Sequence, residues 1–410
     1  MTRRRRSPRL RTATASALAA LALTATLVAA CESSGAPRGD GALSAQKPST
    51  SSTSTGSTPA GSSGSEGTPT GATASPRPTT PGHPASPVHA PSHTTAKPAP
   101  PMNPRPHAAL SGVGAADRAA WASWRGQQVQ VNEVWNDAKD PEAGNKVTWN
   151  SMDALWSTHD GFANGKWKGA LSIGQPMFAS GETVRSCATT GEISTWAKAL
   201  RSVWPTGTAF IRLGWEFNGD WYAWKVKQGD QAAFRSCWIK WYKLVKQASP
   251  RFQLVWNPNN QSSDPNLDVR TFWPGKAYVD AAGPDAYALS DSGKLWDPHK
   301  TGKNGVPLGI AAWSAWVAAQ GVPLAVPEWA IRDQTWGSTD PAYITQMRTA
   351  FTAAAHSATG LAYESYFDGG TDYDCQFSIH DPACSGKHTA AADRYKRLWS
   401  KPYLSTSPKV

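Results

Sequence analysis

Short apolar runs alternate with segments in which apolar residues recur every three or four positions. The runs lie near Leu110–Val113, Val129–Val134, Gly169–Gly174, Thr208–Leu213, Gln253–Trp256, Val279–Asp285, Pro323–Val326 and Leu361–Phe367. Helical spacing occurs over residues 115–124, 149–157, 191–203, 230–247, 308–319 and 340–356. Eight strand candidates alternating with helices predict an α/β fold, a (β/α)8 TIM barrel. The stretch between the fifth and sixth runs, residues 257–277, shows no long helical pattern and is predicted to be mostly loop.

Residues 1–31 have the features of an export signal. Arg3–Arg6 begin a cationic segment, and the apolar core Ala17–Ala30 is shorter than the ~20 residues that a membrane-spanning helix needs. Cys31 directly follows Ala29 and Ala30, as in the lipobox of bacterial lipoproteins. This pattern predicts lipidation of Cys31 and attachment of the exported protein to the outer face of the bacterial cell membrane. A plain small-residue cleavage site is the alternative.

Residues 32–106 consist mainly of Ser, Thr, Pro, Gly and Ala, with scarcely an aromatic or large aliphatic side chain. Such a segment cannot bury enough apolar surface to offset its ordering entropy, so a disordered linker is predicted. The folded domain is therefore expected over residues 107–410. All 21 tryptophans lie beyond residue 120, more than one core requires, and some are expected to line a groove.

The formal charge of +11 is largely a property of the terminus. Six arginines and no acidic residue lie in residues 1–31, and without them the charge falls to +5. Basic and acidic residues are mixed along the predicted domain, which argues against a nucleic-acid partner. A monomer is expected.

Four cysteines follow Cys31, and an even number in an exported chain favours disulfides. Cys375 and Cys384 bracket a short loop and are predicted to pair, which leaves Cys187 for Cys237. His380 and His388 raise a zinc alternative, and a calcium alternative rests on Asp368, Asp372, Asp374 and Asp381. Neither spacing matches a standard metal site, so no metal and no cofactor are expected.

The C-terminal ends of barrel strands carry the functional residues of such folds. Carboxylates, amides and aromatics dominate the predicted strand ends, which include Trp135, Asn136, Gln175, Asn257, Asn259, Asp285, Tyr287, Tyr366 and Asp368. The richest segment runs from Ala209 to Lys225 and places Glu216 directly after an apolar run. Amides bind sugar hydroxyls and indoles stack on pyranose faces, so sugar binding is predicted for Trp215, Asn218, Trp221, Trp224, Asn257 and Trp329.

Glu328 ends the seventh run and forms a pair with Glu216. The two residues are separated by three βα units, which places them across the barrel mouth from one another. Paired carboxyls on either side of a sugar are the machinery of glycoside hydrolysis. Arg212 lies on the same strand face as Glu216, and with Tyr287 it is expected to keep Glu328 ionised. The indoles of Trp215 and Trp221 are expected to raise the pKa of Glu216.

The motif RLGWEFNGDWYAW resembles glycoside hydrolase family 26 of clan A, whose best-known members are endo-β-1,4-mannanases. The resemblance covers residues from about 110 to 400. It implies retention of anomeric configuration, with Glu328 as nucleophile, Glu216 as acid/base and Tyr287 bonded to the nucleophile. Two departures concern Trp215, where the family usually has histidine, and Trp329-Ala330, where it has an aromatic residue followed by glycine.

The sequence leaves several functions open. Within the hydrolase interpretation, mannan, glucomannan, mixed-linkage glucan and β-1,3-xylan are all possible substrates. A non-catalytic, glycan-binding surface lipoprotein is a different class of protein, but binding alone needs neither glutamate. A polysaccharide lyase is disfavoured because Arg212 is the sole basic group at the predicted rim.

Overall fold

Eight parallel strands close into a barrel in the computed structural model, which describes residues 109–115, 117–152, 167–384 and 386–404. The strands are β1 (Leu110–Gly114), β2 (Val131–Trp135), β3 (Ala170–Gln175), β4 (Ala209–Leu213), β5 (Phe252–Trp256), β6 in two pieces (Ala281–Ala282 and Ala286–Tyr287), β7 (Leu324–Ala330) and β8 (Leu361–Phe367). Each strand pairs in parallel with the next along the chain, and β8 pairs with both β7 and β1. The predicted (β/α)8 fold is confirmed.

Helices cover the outside of the barrel. They are α1 (Arg118–Arg125), α2 (Thr190–Val203), α3 (Gln231–Ala248), α4 (Ile310–Gln320), α5 (Pro341–Ala355) and α6 (Thr389–Trp399). Local sequence fixes their starts: Thr189 and Glu192 form a capping box at α2, and Asp340 caps α5 ahead of Pro341. Two short 3-10 helices, Val269–Phe272 and Lys276–Tyr278, interrupt the connection from β5 to β6, which otherwise is loop as predicted.

The interior of the barrel changes from apolar to charged along the strands. Val131, Phe210 and Tyr363 belong to one buried interior cluster, in which the rings of Phe210 and Tyr363 stack 4.4 Å apart. Side chains two positions further along a strand point to the same face. The next interior layer therefore contains Glu133, Arg212 and Ser365, all of them buried. A charged layer thus lies between the apolar bottom of the barrel and its C-terminal rim.

Strand β6 is interrupted where it passes closest to β7. A Cβ atom on Gly283 would lie only 1.9 Å from the carbonyl oxygen of Ala325, so only glycine allows this approach. Strand β7 has a register irregularity between Val326 and Trp329. The backbone N–H of Glu328, within that irregularity, donates to Asp285 Oδ1 at 3.0 Å. The sequence predicted one continuous strand over Val279–Asp285, and this break is a correction.

Two helices and the two ends of the chain can also be compared with the sequence predictions. Helix α6 was not predicted, although Ala391, Tyr395 and Trp399 form its buried face at a spacing of four residues. Of the helix predicted over residues 149–157, the described part, residues 149–152, is helical. The export signal, Cys31, the linker over residues 32–106 and the final residues 405–410 lie outside the described residues.

Both predicted disulfides are present, Cys187–Cys237 and Cys375–Cys384. His380 stacks on Trp124, whereas His388 hydrogen-bonds the carbonyl of Cys375, so the two histidines do not converge on one point. Among the described residues no three His, Cys, Asp or Glu side chains are grouped to hold a metal ion. In the same part of the chain, no helix combines the length and apolarity that membrane crossing requires.

Loss of the two disulfides should destabilise the protein unequally. The Cys187–Cys237 bond closes a separation of 50 residues and the Cys375–Cys384 bond one of 9. Loop-closure entropy then predicts about 4 kcal/mol for the first bond and about 2.5 kcal/mol for the second. Denaturant unfolding of the two double Cys→Ala variants measures the difference. A larger loss for the shorter loop would contradict this entropic account.

Candidate active site

Glu328 lies on β7 at the barrel mouth and is held by three donors. Its Oε1 accepts hydrogen bonds from Arg212 Nη1 at 2.5 Å and from Trp135 Nε1 at 2.9 Å. Its Oε2 accepts from the Tyr287 hydroxyl at 2.7 Å. A carboxylate that accepts several hydrogen bonds, one of them from a cation, is stabilised in its charged form. The arrangement sets the orientation of the Glu328 carboxyl group through both of its oxygens.

Arg212 is fully buried and faces three carboxyl groups. Besides Glu328, its guanidinium lies 3.2 Å from Glu133 Oε1 and 3.6 Å from Asp285 Oδ2. One cation cannot neutralise three anions, and burial raises the pKa values of Glu133 and Asp285 well above their usual range. Glu328 is the nearest of the three carboxyl groups to the guanidinium. The attraction to Arg212 is therefore stronger for Glu328 than for Glu133 or Asp285.

Glu216 follows β4 on a backbone turn that presents its side chain at the rim. Gly214 and Glu216 both have positive φ angles, +56° and +50°, and the Glu216 N–H donates to the carbonyl of Asn257 at 2.8 Å. Left-handed backbone is uncommon for a residue other than glycine and is typical of positions fixed by their surroundings. The Glu216 carboxyl accepts from Asn259 Nδ2 at 2.5 Å and from Trp221 Nε1 at 2.8 Å.

The two glutamates differ in the charge around them. Burial, and next the negative charge of Glu328, raise the pKa of Glu216 to about 7. Its two hydrogen-bond donors are neutral, whereas Glu328 has a guanidinium. Near neutral pH Glu216 can therefore carry a proton, whereas Glu328 lies against a cation. Two carboxyls with separated proton affinities are the requirement for acid/base catalysis at a glycosidic bond.

Aromatic side chains with exposed surface surround the carboxyls. Trp135 and Trp221 are half-buried, and each donates its indole N–H to one of the two glutamates. Tyr222 and Tyr287 are also half-buried, and the charge of Glu328 contributes to raising the pKa of both hydroxyls. Flat rings with polar tips beside a carboxyl pair suit a ligand that has both apolar faces and hydroxyl groups.

Three tryptophans predicted to bind sugar are buried, and their interpretation as stacking surfaces is wrong for this structure. Trp215 and Trp329 have no exposed surface, and Trp224 retains 3%. The Trp329 indole donates to Glu364 at 2.5 Å and packs against Trp399 on the helix-facing side of the barrel. Adjacent strand residues point to opposite faces, so Glu328 at the mouth places Trp329 on the outside.

The predicted amides and Arg212 are structural supports rather than exposed groups. Asn218 is 2% exposed; its amide donates to the Asn259 carbonyl, and its side-chain oxygen accepts from the Asn259 backbone N–H. Asn257 is fully buried and donates to Asp285 at 3.0 Å. Direct contact of these two amide side chains with a ligand is therefore corrected to a role beneath the site, and Arg212 contacts Glu328, as the sequence led us to expect.

Several residues around the two glutamates were not among the predicted site residues. Asn259 and Asp285 were recognised only as strand ends, and Glu133 and Asp137 were not singled out. The sequence signal for Glu133 is its position two residues after Val131 on β2. Residues two apart on a strand point to the same face, so both side chains lie inside the barrel. Asp137 lies two residues beyond β2, and burial raises its pKa to about 6.

Comparison with known proteins agrees with the resemblance seen in the strand motifs. A 143-residue stretch of the chain is 28% identical to the mannan endo-1,4-beta-mannosidase of Bacillus subtilis. The match covers 33% of this chain and 39% of that enzyme, so it spans about two fifths of the relative's length. No model of a known protein family matches the chain.

Among solved structures, a modular endo-beta-1,4-mannanase from Cellulomonas fimi has a TM-score of 0.49 at 16% identity, covering 73% of this chain and 72% of that one. A GH26 beta-mannanase from Bacteroides ovatus has a TM-score of 0.45 at 13% identity, covering 72% and 86%. The assignment of a barrel follows from the strand order of this protein.

Replacement of Glu216 by glutamine should stabilise the protein at alkaline pH. The folded pKa of about 7 exceeds the ordinary value of 4.5, so the folded state binds this proton more tightly than the unfolded chain does. The wild type therefore loses stability as pH rises from 4.5 to 7, by about 3 kcal/mol for a shift of this size. Free energies of unfolding at pH 4 and pH 8 check this: the Glu216→Gln variant should gain on the wild type only at pH 8. An equal difference at both pH values would contradict the raised pKa.

Proposed function

We propose that the protein is a retaining glycoside hydrolase that cleaves β-linked mannan, as an endo-β-1,4-mannanase does. The observation that carries the proposal is the difference between the two rim carboxyls. Glu328 is bound by the Arg212 guanidinium, and Glu216 is bound only by neutral donors. The mannan substrate is supported by the sequence match to a mannan endo-1,4-beta-mannosidase.

In the first step Glu328 attacks the anomeric carbon of the bound sugar. Tyr287 and Trp135 hold the carboxylate in place, each through one hydrogen bond. Glu216 donates its proton to the glycosidic oxygen as the bond breaks, and the shortened glycan leaves. The sugar is then an ester of Glu328, and Glu216 is ionised.

In the second step Glu216 acts as a base. It takes a proton from a water molecule that attacks the anomeric carbon, and the ester bond to Glu328 breaks. Ester formation removes the negative charge that raised the pKa of Glu216, so its proton affinity falls between the steps and is regained on release. Two displacements at one carbon retain its configuration.

Chemical rescue tests the roles of the two carboxyls. Glu328→Ala and Glu216→Ala should each reduce hydrolysis of an activated aryl β-mannoside by at least about a hundredfold, since each removes a group that acts in the transition state. Added azide should restore turnover in both variants. It should yield the α-glycosyl azide with Glu328→Ala, by direct attack, and the β-glycosyl azide with Glu216→Ala, by attack on the ester. NMR of the products distinguishes these anomers.

The control is Asp220→Asn, an exposed carboxylate four residues beyond Glu216, which should retain wild-type rates. Near wild-type rates in both glutamate variants would overturn the assignment. Binding of galactomannan by the wild type without release of reducing ends would instead identify a non-catalytic glycan-binding protein.

The proposal includes attachment of the enzyme to the cell surface through Cys31. The support is the sequence alone: a cationic segment, an apolar core and Ala29-Ala30 directly before the cysteine. Full-length protein expressed in a bacterial host should appear in the membrane fraction, and Cys31→Ser should shift it to the soluble or medium fraction. Equal distribution of the two proteins would contradict lipidation.

A further inference from the structure

The loop after β4 contains a tyrosine whose hydroxyl is within electrostatic reach of the two glutamates. Tyr222 follows Glu216 by six residues, and its hydroxyl oxygen accepts a hydrogen bond from Trp215 Nε1 at 3.0 Å. Trp215 is fully buried, and its indole N–H has no other acceptor among the residues that the structure describes. The indole therefore fixes the position of the hydroxyl oxygen and uses one of its lone pairs.

The ring of Tyr222 is held as firmly as its oxygen. It stacks on Trp224 with 4.4 Å between ring centroids and 12° between planes, and it contacts Trp215 at 4.8 Å. Trp224 in turn donates its indole N–H to the Trp215 carbonyl at 2.8 Å. The tyrosine is thus preorganised, and little side-chain entropy remains to be lost when its hydroxyl binds a ligand.

The proton of this hydroxyl has no acceptor within the described part of the chain. Burial, followed by the negative charges of Glu216, Glu328 and Asp137, raises the pKa of Tyr222 well above its usual range. The hydroxyl therefore stays protonated and lies within electrostatic reach of all three carboxyls. The residue is half-buried, so part of its surface remains exposed.

We propose that Tyr222 is a specificity-determining residue whose hydroxyl donates a hydrogen bond to a ring hydroxyl or ring oxygen of the sugar bound at the glutamates, with Trp215 positioning the donor. This inference rests on the proposed glycosidase function and extends it to one contact. A fixed neutral donor that already accepts from an indole discriminates between sugars by the position of an oxygen atom.

The consequence for substrate choice follows from the cost of an unpaired buried donor. A sugar that lacks an oxygen at the matching position occupies the site but leaves the Tyr222 hydroxyl without an acceptor. The epimer whose oxygen points elsewhere suffers the same penalty. Tyr222 would therefore contribute to the choice between mannose and its epimers next to the scissile bond.

The test pairs a hydroxyl deletion in the protein with hydroxyl deletions in the substrate. Tyr222→Phe removes only the oxygen, and kcat/KM is measured with an aryl β-mannobioside and with analogues in which single hydroxyls of the sugar next to the aryl group are replaced by hydrogen. Tyr222→Phe should lower kcat/KM for the parent about 10- to 100-fold. For the one analogue that lacks the partner hydroxyl, the two proteins should differ less than twofold.

The matched control is Tyr242→Phe, a tyrosine on α3 whose ring contacts Tyr278, outside the cleft, and which should leave all rates unchanged. If the partner is the ring oxygen, every deoxy analogue retains the loss, and the uncleavable carba-analogue, measured as a competitive inhibitor, binds both proteins equally. A loss below twofold for the parent, or an equal loss for every deoxy analogue together with weaker inhibition of Tyr222→Phe by the carba-analogue, overturns the inference. Failure of the wild type to cleave any β-glycan would instead overturn the proposed function, and with it this inference.

Discussion

The buried guanidinium of Arg212 is the interaction on which the site depends. Removing one charge from water costs several kcal/mol unless it is paired, and here the carboxyl groups that face the guanidinium come from β2, from the break in β6 and from β7. Strand periodicity makes this possible, because Arg212 lies two positions beyond Phe210 inside the barrel. The barrel must close with the correct register for these groups to meet. Correct folding and the placement of a cation against Glu328 are thus one requirement.

The same arrangement separates the two glutamates chemically. Glu328 and Glu216 are both nearly buried, at 5% and 7% exposure, so burial alone would not distinguish them. The difference arises from the hydrogen-bond donors of each carboxyl. Glu328 accepts from one cation and two neutral donors, whereas Glu216 accepts from two neutral donors. The negative charge of Glu328 then adds to the proton affinity of Glu216. Glu328 thus helps to set the protonation state of Glu216.

The sequence predicted the strands and the carboxyl pair because both follow from local pattern. Apolar runs mark buried strands, and a carboxylate directly after such a run lies at the rim of a parallel barrel. The same reasoning from local pattern predicted more exposed, ligand-facing aromatic residues than the structure has. Trp329 follows Glu328 and must point away from it, which strand alternation alone could have indicated. The break in β6 at Gly283 depends on how closely β7 approaches, and no single-strand pattern contains that distance.

The buried Trp215 shows why a residue type at one position does not define its role. An indole before Glu216 suggested a stacking surface, yet the turn at Gly214 and Glu216 directs it into the loop that follows β4. There it lies against Trp224 at 4.4 Å and bonds the hydroxyl of Tyr222. The polar group that Trp215 holds in place, the Tyr222 hydroxyl, lies seven residues along the chain. A buried aromatic residue can shape recognition through the one donor that it orients, without touching the ligand.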